Sequence, residues 1–190
     1  MAIYFITSNR GKLGEVRQLL GTAVRSRDID LDEIQSVSAE KVAVDKARRA
    51  YAIVKKPVIV EDTALYISAL NGFPGALIKF METTVGYDGI CRMLRQYKDK
   101  RATAESCIVF YDGKNLKSFS GRVRGVISDR VRGADGFGFD CLFVPSGSSM
   151  TFAEMGTYKK NRISHRRKAV LKLSRYLKQA GRNHASVPRS

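Results

Sequence analysis

The chain has 190 residues, 44% of them hydrophobic, which is typical of one globular domain. No apolar run approaches the roughly 20 residues of a membrane-spanning helix, and the first residues lack the basic and apolar regions of a signal peptide. Three widely spaced cysteines exclude a disulfide framework and a zinc pattern. We therefore expect a cytoplasmic protein without a membrane partner.

The formal charge of +16 is large and unevenly distributed. Eleven Lys and Arg residues but no Asp or Glu lie in 156–190, so the rest of the chain carries only +5 of this charge. Such a region attracts polyanions, which include nucleotides, nucleic acids and acidic surfaces. A solvated basic helix with a frayed tail is an equal alternative. Charge alone does not distinguish a triphosphate from RNA.

The first part of the chain alternates strand and helix patterns, which favours parallel pairing. Ser38 is a suitable N-cap for the longest helix in this part. The predicted elements are strands at 3–7, 28–31 and 57–60 and helices at 12–20 and 38–54.

The later part of the chain predicts a hairpin, so the sheet is expected to be mixed α/β. A turn at 71–75 precedes two helical segments, and Gly181 is the expected end of the last helix. The predicted elements are helices at 78–83, 87–97 and 164–180, hairpin strands at 101–111 and 116–127, and a strand at 140–144. We expect one domain over 1–182 and a disordered tail over 183–190.

The first candidate site is a loop between the first strand and the first helix. Backbone N–H groups and the positive dipole end of a helix N-terminus suit phosphate, and a lysine would add charge. The spacing is not that of a Walker A loop, and an ordinary helix start remains the alternative. The loop consists of Thr7, Ser8, Asn9, Arg10, Gly11 and Lys12.

The second candidate site is the acidic pair Glu61 and Asp62, directly after a Val-Ile-Val strand. Open α/β sheets bind ligands at such strand ends. Because neighbouring strand residues face opposite sides, one acid is expected to reach Mg²⁺ and the other to act from behind. Glu33, expected at another strand end, is a candidate second carboxylate, with Glu40 as a competitor. A solvated strand end is the alternative for each acid.

The third candidate site runs from 136 to 166 and combines glycines, aromatics and fixed donors. Phe137 and Phe139 are candidates to stack on a purine, although core packing is the commoner role. Asp140 would serve as a turn residue or contact the ribose or base, and Lys160 would reach a phosphate.

Two residues at the predicted start of the last helix complete the third site. Ser164 is its expected N-cap, followed by His165 and Arg166. Arginine only donates hydrogen bonds, so Arg166 would suit a 6-keto purine, whose O6 and N7 are acceptors. A structural role is the alternative for His165.

Together these segments, in this order, resemble the inosine triphosphate pyrophosphatase (Ham1-like) family. The resemblance implies an elongated mixed β-sheet flanked by helices, with two lobes and the active site in the cleft between them, usually as a homodimer. It also implies Mg²⁺-dependent hydrolysis of ITP, dITP or XTP to the monophosphate and pyrophosphate.

Carried over by position, the resemblance implies a role for each matching residue. The loop 7–12 would bind phosphate, with Lys12 also catalytic, and Glu33 and Asp62 would bind the metal, with Asp62 as general base. The implied substrate contacts beyond this loop are Lys46, Thr63, Lys79, Phe137, Gly138, Phe139, Asp140, Lys160, His165 and Arg166. The alternative is a nucleic-acid-binding protein that uses the basic C-terminal region.

Overall fold

The computed structural model describes residues 2–20 and 24–185, which form a seven-stranded mixed sheet flanked by helices. The mixed α/β fold predicted from the sequence is confirmed. The strands are β1 (Ile3–Ile6), β2 (Val24–Arg27), β3 (Val58–Ile67), β4 (Pro74–Gly75), β5 (Arg101–Tyr111), β6 (Leu116–Ile127) and β7 (Phe143–Pro145). The helices are α1 (Arg10–Leu20), α2 (Ala39–Val54), α3 (Ile78–Thr84), α4 (Gly86–Leu94), α5 (Phe152–Ile163) and α6 (His165–Ala185).

The sheet has the order β2-β1-β3-β5-β6-β7, and β4 also pairs with β3. β1 is parallel to both β2 and β3. The other pairs, β3 with β5, β5 with β6 and β6 with β7, are antiparallel. The predicted hairpin is confirmed with both strand bounds as expected. Among the described helices, none is long and apolar enough to cross a membrane.

The second strand was predicted in the wrong place and the third is longer than predicted, and both differences matter for the site. The second strand is Val24–Arg27, because its backbone pairs with β1 in parallel register, while 28–31 forms a loop. As an edge strand with exposed Arg25, Ser26 and Arg27, it lacks the apolar pattern that reveals buried strands. The strand predicted at 57–60 continues to Ile67, because β5 pairs with it over ten residues.

The C-terminal part also differs from the prediction. Helix α5 was missed, because Gly156 has a positive φ of 67° and interrupts its helical period. The strand expected at 140–144 is instead a 3₁₀ turn, Gly138–Cys141, followed by β7. Helix α6 runs through Gly181 to Ala185, so the expected helix end at Gly181 was wrong. The rest of the predicted tail, 186–190, lies outside the described residues.

Three groups of buried side chains hold the sheet and helices together. Strand alternation sends Val58 and Val60 to the face covered by α2 and Ile59 to the face covered by α6. A third core lies around the far end of β3 and includes Leu65 and Ile67. The sheet therefore joins two lobes, with β3 and β5 shared between them.

A gap along one edge of β3 creates the cleft between these lobes. On this edge β1 pairs with Val58 and Ile59, and β4 pairs only with Leu65 and Tyr66. The opposite edge of β3 is paired with β5 throughout. The stretch 61–64 between β1 and β4 therefore faces an opening, and this stretch contains the acidic pair.

The N-cap of α2 allows a first prediction. Ser38 accepts a hydrogen bond from the Lys41 amide at 3.3 Å, which satisfies one of the unpaired donors of the helix N-terminus. We expect Ser38→Ala to lower the free energy of unfolding by about 1 kcal/mol, measured by urea denaturation. Ser149→Ala, at an exposed serine outside the helices, is the matched control and should change little. Equal effects of the two substitutions would contradict the cap.

Candidate active site

The cleft between the lobes has a volume of about 740 Å³. It brings together residues from all three segments singled out in the sequence. Of the eighteen residues predicted for the site, only Arg10 and Gly11 do not line it. Those that do are Thr7, Ser8, Asn9, Lys12, Glu33, Lys46, Asp62, Thr63, Lys79, Phe137, Gly138, Phe139, Asp140, Lys160, His165 and Arg166.

The loop after β1 forms a capped helix N-terminus that opens into the cleft. Asn9 Oδ1 accepts a hydrogen bond from the Lys12 amide at 3.0 Å, and Thr7 Oγ1 accepts one from the Asn9 amide at 3.1 Å. The Lys12 side chain is surrounded by protein atoms, and this desolvation lowers its pKa, although Glu61 and Asp62 oppose the shift. The loop therefore presents a helix dipole and a cation at one point, an arrangement that suits phosphate.

Arg10 and Gly11 were expected to bind substrate but do not line the cleft. Arg10 is exposed and begins α1. Gly11 lies against the Phe137 ring, since a Cβ atom at this position would be 2.7 Å from two ring carbons. Glycine is needed here for close packing between the loop and the aromatic segment. Gly11 thus positions a wall of the cleft without lining it.

Asp62 carries the clearest sign of an unfilled polar site. Its Oδ2 atom is buried and has no hydrogen-bond partner in the described part of the chain. Burial raises the pKa of this carboxyl to about 6, although Lys12 and Lys46 oppose the increase. A buried oxygen without a partner is costly, which points to a ligand cation or donor at this place.

Glu61 lies on the opposite face of β3 from Asp62 and has a different environment. Its Oε1 atom accepts hydrogen bonds from Arg166 Nε at 2.7 Å and from Ser106 Oγ at 2.6 Å. Although burial alone would raise the pKa of Glu61, the Arg166 guanidinium and the Lys12 ammonium lower it. Glu61 is therefore a buried, ionised anchor, and Asp62 is the more available acid of the pair.

Arg166 and Lys160 are held in a buried network of ion pairs. Arg166 donates to Glu15 as well as to Glu61, and its contact with Thr63 Oγ1 is long, at 3.5 Å. Lys160 Nζ donates to Glu15 Oε1 at 3.0 Å. Both cations are almost fully buried, so much of their donor capacity is engaged within the protein. The sequence did not reveal Glu15, because a glutamate on an amphipathic helix is normally a surface residue.

Asp140 completes this network and shapes the aromatic segment. It accepts hydrogen bonds from the Phe137 amide at 2.9 Å and from Lys160 Nζ at 2.6 Å. Burial raises the pKa of Asp140, and Lys160 opposes the increase. These contacts assign Asp140 the turn-forming role considered from the sequence.

The two phenylalanines of the segment differ in exposure. Phe139 is buried in the third core, around the far end of β3. Its ring centroid lies 6.4 Å from that of Phe143 and 5.7 Å from that of His165. Phe137 is half-buried, with Lys160 Nζ 4.4 Å from its ring centroid and the Arg166 guanidinium carbon 5.1 Å away. Phe137 is thus the aromatic wall of the cleft, and Phe139 packs beneath it.

His165 is the first residue of α6 and is a neutral imidazole. It is packed between Phe139 and Phe152, and burial together with Arg166 lowers its pKa well below the ordinary value. Its Nδ1 atom is buried without a hydrogen-bond partner in the described residues. A neutral imidazole nitrogen at the cleft wall can donate or accept one hydrogen bond to a ligand.

Glu33 and Lys46 line the partly exposed side of the cleft. They form an ion pair, and Glu33 lies in the loop 28–38 and not at the end of a strand as expected. No three His, Cys, Asp or Glu side chains form a metal cluster within the described residues. Mg²⁺ needs only one or two carboxylates beside substrate phosphates and water, so the orphaned Asp62 oxygen fits such an ion.

Glu82 on α3 is a cleft residue that the sequence did not indicate. Its carboxyl lies opposite Gly138, where a Cβ atom would be 3.4 Å from Glu82 Oε1. It has no hydrogen bond or ion pair to the described residues. Burial, followed by the nearby Asp140, raises the pKa of Glu82 to about 7, although Lys12 and Lys79 oppose the increase. Only its position on a short helix facing the cleft reveals it.

The raised pKa of Glu82 leads to a second prediction. Above pH 7 this carboxyl ionises and adds negative charge to the cleft, which disfavours a polyanionic ligand. We expect the affinity for a nucleoside triphosphate to fall as pH rises through about 7, and Glu82→Gln to flatten this part of the profile. The measurement is KM between pH 6 and 8. Glu154→Gln, outside the cleft, is the control, and an unchanged profile in Glu82→Gln would refute the assignment.

Comparisons with known proteins show the family of the chain. The Ham1 family model matches residues 3–176. A dITP/XTP pyrophosphatase of Thermococcus kodakarensis is 41% identical over 182 residues, covering 94% of this chain and 98% of that protein. An inosine triphosphate pyrophosphatase of Aspergillus fumigatus is 45% identical over 177 residues, covering 91% of this chain and 92% of that protein.

Solved structures of similar proteins share the fold. The Ham1 protein of Coxiella burnetii has a TM-score of 0.83 and 26% identity, covering 94% of this chain and 100% of that one. The Staphylococcus aureus Ham1 protein has a TM-score of 0.81 and 26% identity, covering 94% and 99%. With a family match over nearly its whole length and close relatives at this coverage, the chain belongs to the Ham1 family.

Proposed function

We propose that this protein is a nucleoside triphosphate pyrophosphatase that hydrolyses the non-standard purine nucleotides ITP, dITP and XTP to the monophosphate and pyrophosphate. The observation that carries the proposal is the Asp62 Oδ2 atom, which is buried without a hydrogen-bond partner in the described part of the chain and lies in the same cleft as Lys12 and the Phe137 ring. The relatives named dITP/XTP pyrophosphatase and inosine triphosphate pyrophosphatase support it. The enzyme would remove these nucleotides from the pool.

The proposed cofactor is Mg²⁺, held by Asp62 with Glu33 as the second carboxylate. When bound, the ion would neutralise phosphate charge and orient the substrate. Glu33 is available for this role once Lys46 turns from it to a phosphate, and their ion pair is at the partly exposed side of the cleft. Glu61 Oε2 also has no partner among the described residues, but Glu61 is less suited than Glu33 because Arg166 and Lys12 already compensate its charge.

In the proposed reaction, water attacks the α-phosphorus and the bond to the β-phosphate oxygen breaks, which releases pyrophosphate. Asp62 orients this water and accepts its proton, the role of a positioned carboxylate in general-base catalysis. The helix N-terminus at 9–12, Lys12 and Lys46 stabilise the charge that moves to the departing pyrophosphate. Thr7, Ser8 and Lys79 add contacts along the phosphates.

The base would lie along Phe137, with the neutral His165 and the Gly138 backbone beside it. Arg166 and Lys160 are engaged with acids, so in this proposal they mainly hold the wall in place, and only their remaining N–H groups reach the ligand. Acceptors such as O6 and N7 of a 6-keto purine suit these donors, whereas the 6-amino group of adenine does not.

We further propose that the protein is a cytoplasmic homodimer with one two-lobed catalytic domain over 1–182. The cleft lies within one chain, so each subunit would contain all the candidate residues described above and would bind its own small-molecule substrate. Gel filtration with light scattering would measure the mass of the assembly. A monomer at micromolar concentration would remove the dimer from this proposal without affecting the assignment of the cleft.

The function is tested by incubating the purified protein with Mg²⁺ and ITP, XTP, GTP or ATP separately. We expect pyrophosphate from ITP and XTP, little from GTP or ATP, and no orthophosphate as the first product. Omission of the metal, with EDTA present, should stop turnover. A folded protein that releases no pyrophosphate from any of the four nucleotides would refute the proposal.

A further inference from the structure

A second depression lies outside the cleft, between β6 and α6. It has a volume of about 560 Å³ and shares no lining residue with the cleft. Its polar lining is basic and comes from Arg122, Lys168, Lys172 and Arg175, with the partly exposed Leu171 between them. We call this feature the basic groove. No acidic residue lines it.

The groove follows a strand edge that has no strand partner in the described chain. β7 pairs with β6 only at Gly125, Val126 and Ile127, so the edge before Arg124 is unpaired by strands. Helix α6 packs closely on the sheet face beside this edge, since a Cβ atom on Gly121 would lie 2.1 Å from the His165 carbonyl oxygen. The groove is therefore a rigid feature built on two regular elements.

Part of the charge in the groove has a structural explanation. Lys168 Nζ donates to the Arg122 carbonyl at 2.9 Å, and Lys172 Nζ donates to the Ser120 carbonyl at 2.6 Å. These lysines protect the exposed strand edge, a common use of lysine. Each ammonium group retains further protons for an anion. Arg122 is paired with Glu105 and contributes less net charge.

The charge of Arg175, in contrast, is not explained by a contact within the described protein. It is exposed and forms no hydrogen bond or ion pair with any residue in 2–20 or 24–180. It lies at positions i+7 and i+3 from Lys168 and Lys172, so the three cations share one face of α6. They span about 10 Å of helix, over which one strand of B-form DNA presents about three phosphates.

We propose that the basic groove binds the phosphate backbone of nucleic acid, as a second site separate from the catalytic cleft. Neither β6 nor the α6 side chains up to Ala180 include an acid, and Glu105 on β5 offsets only the charge of Arg122, so the groove carries a net positive charge. The nearest aromatic residue of α6, Tyr176, packs on Phe110 and Phe119 and is not available to stack on bases. Binding is therefore electrostatic and independent of sequence.

The test is fluorescence anisotropy with labelled 20-nucleotide DNA and RNA, single-stranded and duplex, in EDTA. With three phosphate contacts, the affinity for duplex DNA should fall about 40-fold between 50 and 200 mM salt, and slightly less for a single strand. Preference between DNA and RNA is read from the same series. Saturating ITP should not displace the nucleic acid, because the two sites share no residue.

Two variants separate the groove from net charge. Arg175→Gln should weaken duplex binding about 5- to 10-fold at 100 mM salt and reduce the salt slope by about 0.9. Arg48→Gln, at an exposed arginine on α2 far from the groove in the fold, removes the same charge and should leave binding unchanged. Pyrophosphate release from ITP should be normal in both variants.

Four results would overturn the proposal. These are no detectable binding at 50 mM salt, equal losses in Arg175→Gln and Arg48→Gln, displacement of the nucleic acid by ITP, and stronger binding of an acidic peptide of equal charge than of DNA or RNA. The last result would assign the groove to an acidic protein partner. None of these results bears on the pyrophosphatase activity, which is measured separately.

Discussion

Asp62→Asn is expected to reduce pyrophosphate release from ITP by at least about 100-fold, and by up to about 10⁴-fold. The substitution preserves the size of the side chain but removes the proton acceptor and the charge that would bind Mg²⁺. The folded structure should be retained, because the Asp62 Oδ2 atom has no partner to lose within the described residues. A near-normal rate in this variant would exclude the proposed role of Asp62.

The same substitution should stabilise the protein when no divalent cation is present. Burial raises the pKa of Asp62 from 3.8 to about 6. The free energy of unfolding is therefore lowered at pH values where the carboxyl is ionised in the unfolded chain, because the folded state disfavours the charged form. The penalty is absent below about pH 4, grows as pH rises to 6, and reaches about 2–3 kcal/mol at pH 7. Urea denaturation in EDTA at pH 4.5 and pH 7 measures it.

Two results of this denaturation experiment are informative. Asp62→Asn should unfold at a higher urea concentration than the native protein at pH 7, and the difference should shrink at pH 4.5. Asp45→Asn, at a partly exposed acid on α2 that is paired with Arg49, is the control and should show no such gain. A less stable Asp62→Asn variant at pH 7 would mean that the carboxylate makes stabilising contacts in the fold. This would contradict the absence of a hydrogen-bond partner for Asp62 Oδ2 among the described residues.

Arg166→Met is expected to have the largest effect on stability. Its guanidinium is almost fully buried and bound to Glu61 and Glu15, and removal of one partner from such a network leaves buried charge uncompensated. The expected loss is about 3–5 kcal/mol in the free energy of unfolding at pH 7. Thermal and urea denaturation measure it, and Arg167→Met on the adjacent, partly exposed position is the control.

The pH dependence of the Arg166→Met defect provides a second check. Arg166 is the main charge that lowers the pKa of Glu61, and this favourable effect exists only where the carboxyl is ionised. The difference from the native protein should therefore be full near pH 7 and decrease as pH falls below the ordinary glutamate range. A difference independent of pH would mean that lost packing, and not charge, dominates.

Arg166→Met also tests how the base is selected. If Arg166 contacts the 6-keto group directly, the ratio of kcat/KM for ITP to that for ATP should fall. If it acts by holding Glu61, Glu15 and the Phe137 wall, activity should fall for both nucleotides and the ratio should survive. The contacts of Arg166 within the protein favour the second outcome for most of its effect.

The sequence was informative where a local pattern has a local cause. The hairpin strands were predicted with correct bounds, because alternating side chains and a short polar turn specify both strands. The Ser38 cap and the α1 and α2 helices followed from their periods. The candidate residues lie in segments far apart in the chain and were grouped only because these segments, in this order, resemble a known family. The structure places all of these residues except Arg10 and Gly11 on the cleft.

The residues that sequence reasoning missed depend on contacts between distant elements. Glu15 and Lys160 are 145 positions apart yet form a buried ion pair, and nothing in either helix indicates a partner. Glu82 faces the cleft because α3 follows the β4 turn, which is a matter of tertiary position. The second strand was misplaced because an edge strand needs backbone pairing but no apolar pattern.

For this protein the amino-acid sequence by itself determined the mixed α/β class, the family, and which segments contain the candidate site residues, because strand and helix periods, caps and short motifs are local. Only the tertiary structure decided how those groups act. The gap between β1 and β4 opens the cleft at Asp62, and strand alternation separates Asp62 from Glu61. Burial and ion pairing then make Glu61 an ionised anchor and leave Asp62 as the candidate base, because both effects depend on neighbours that only folding brings together.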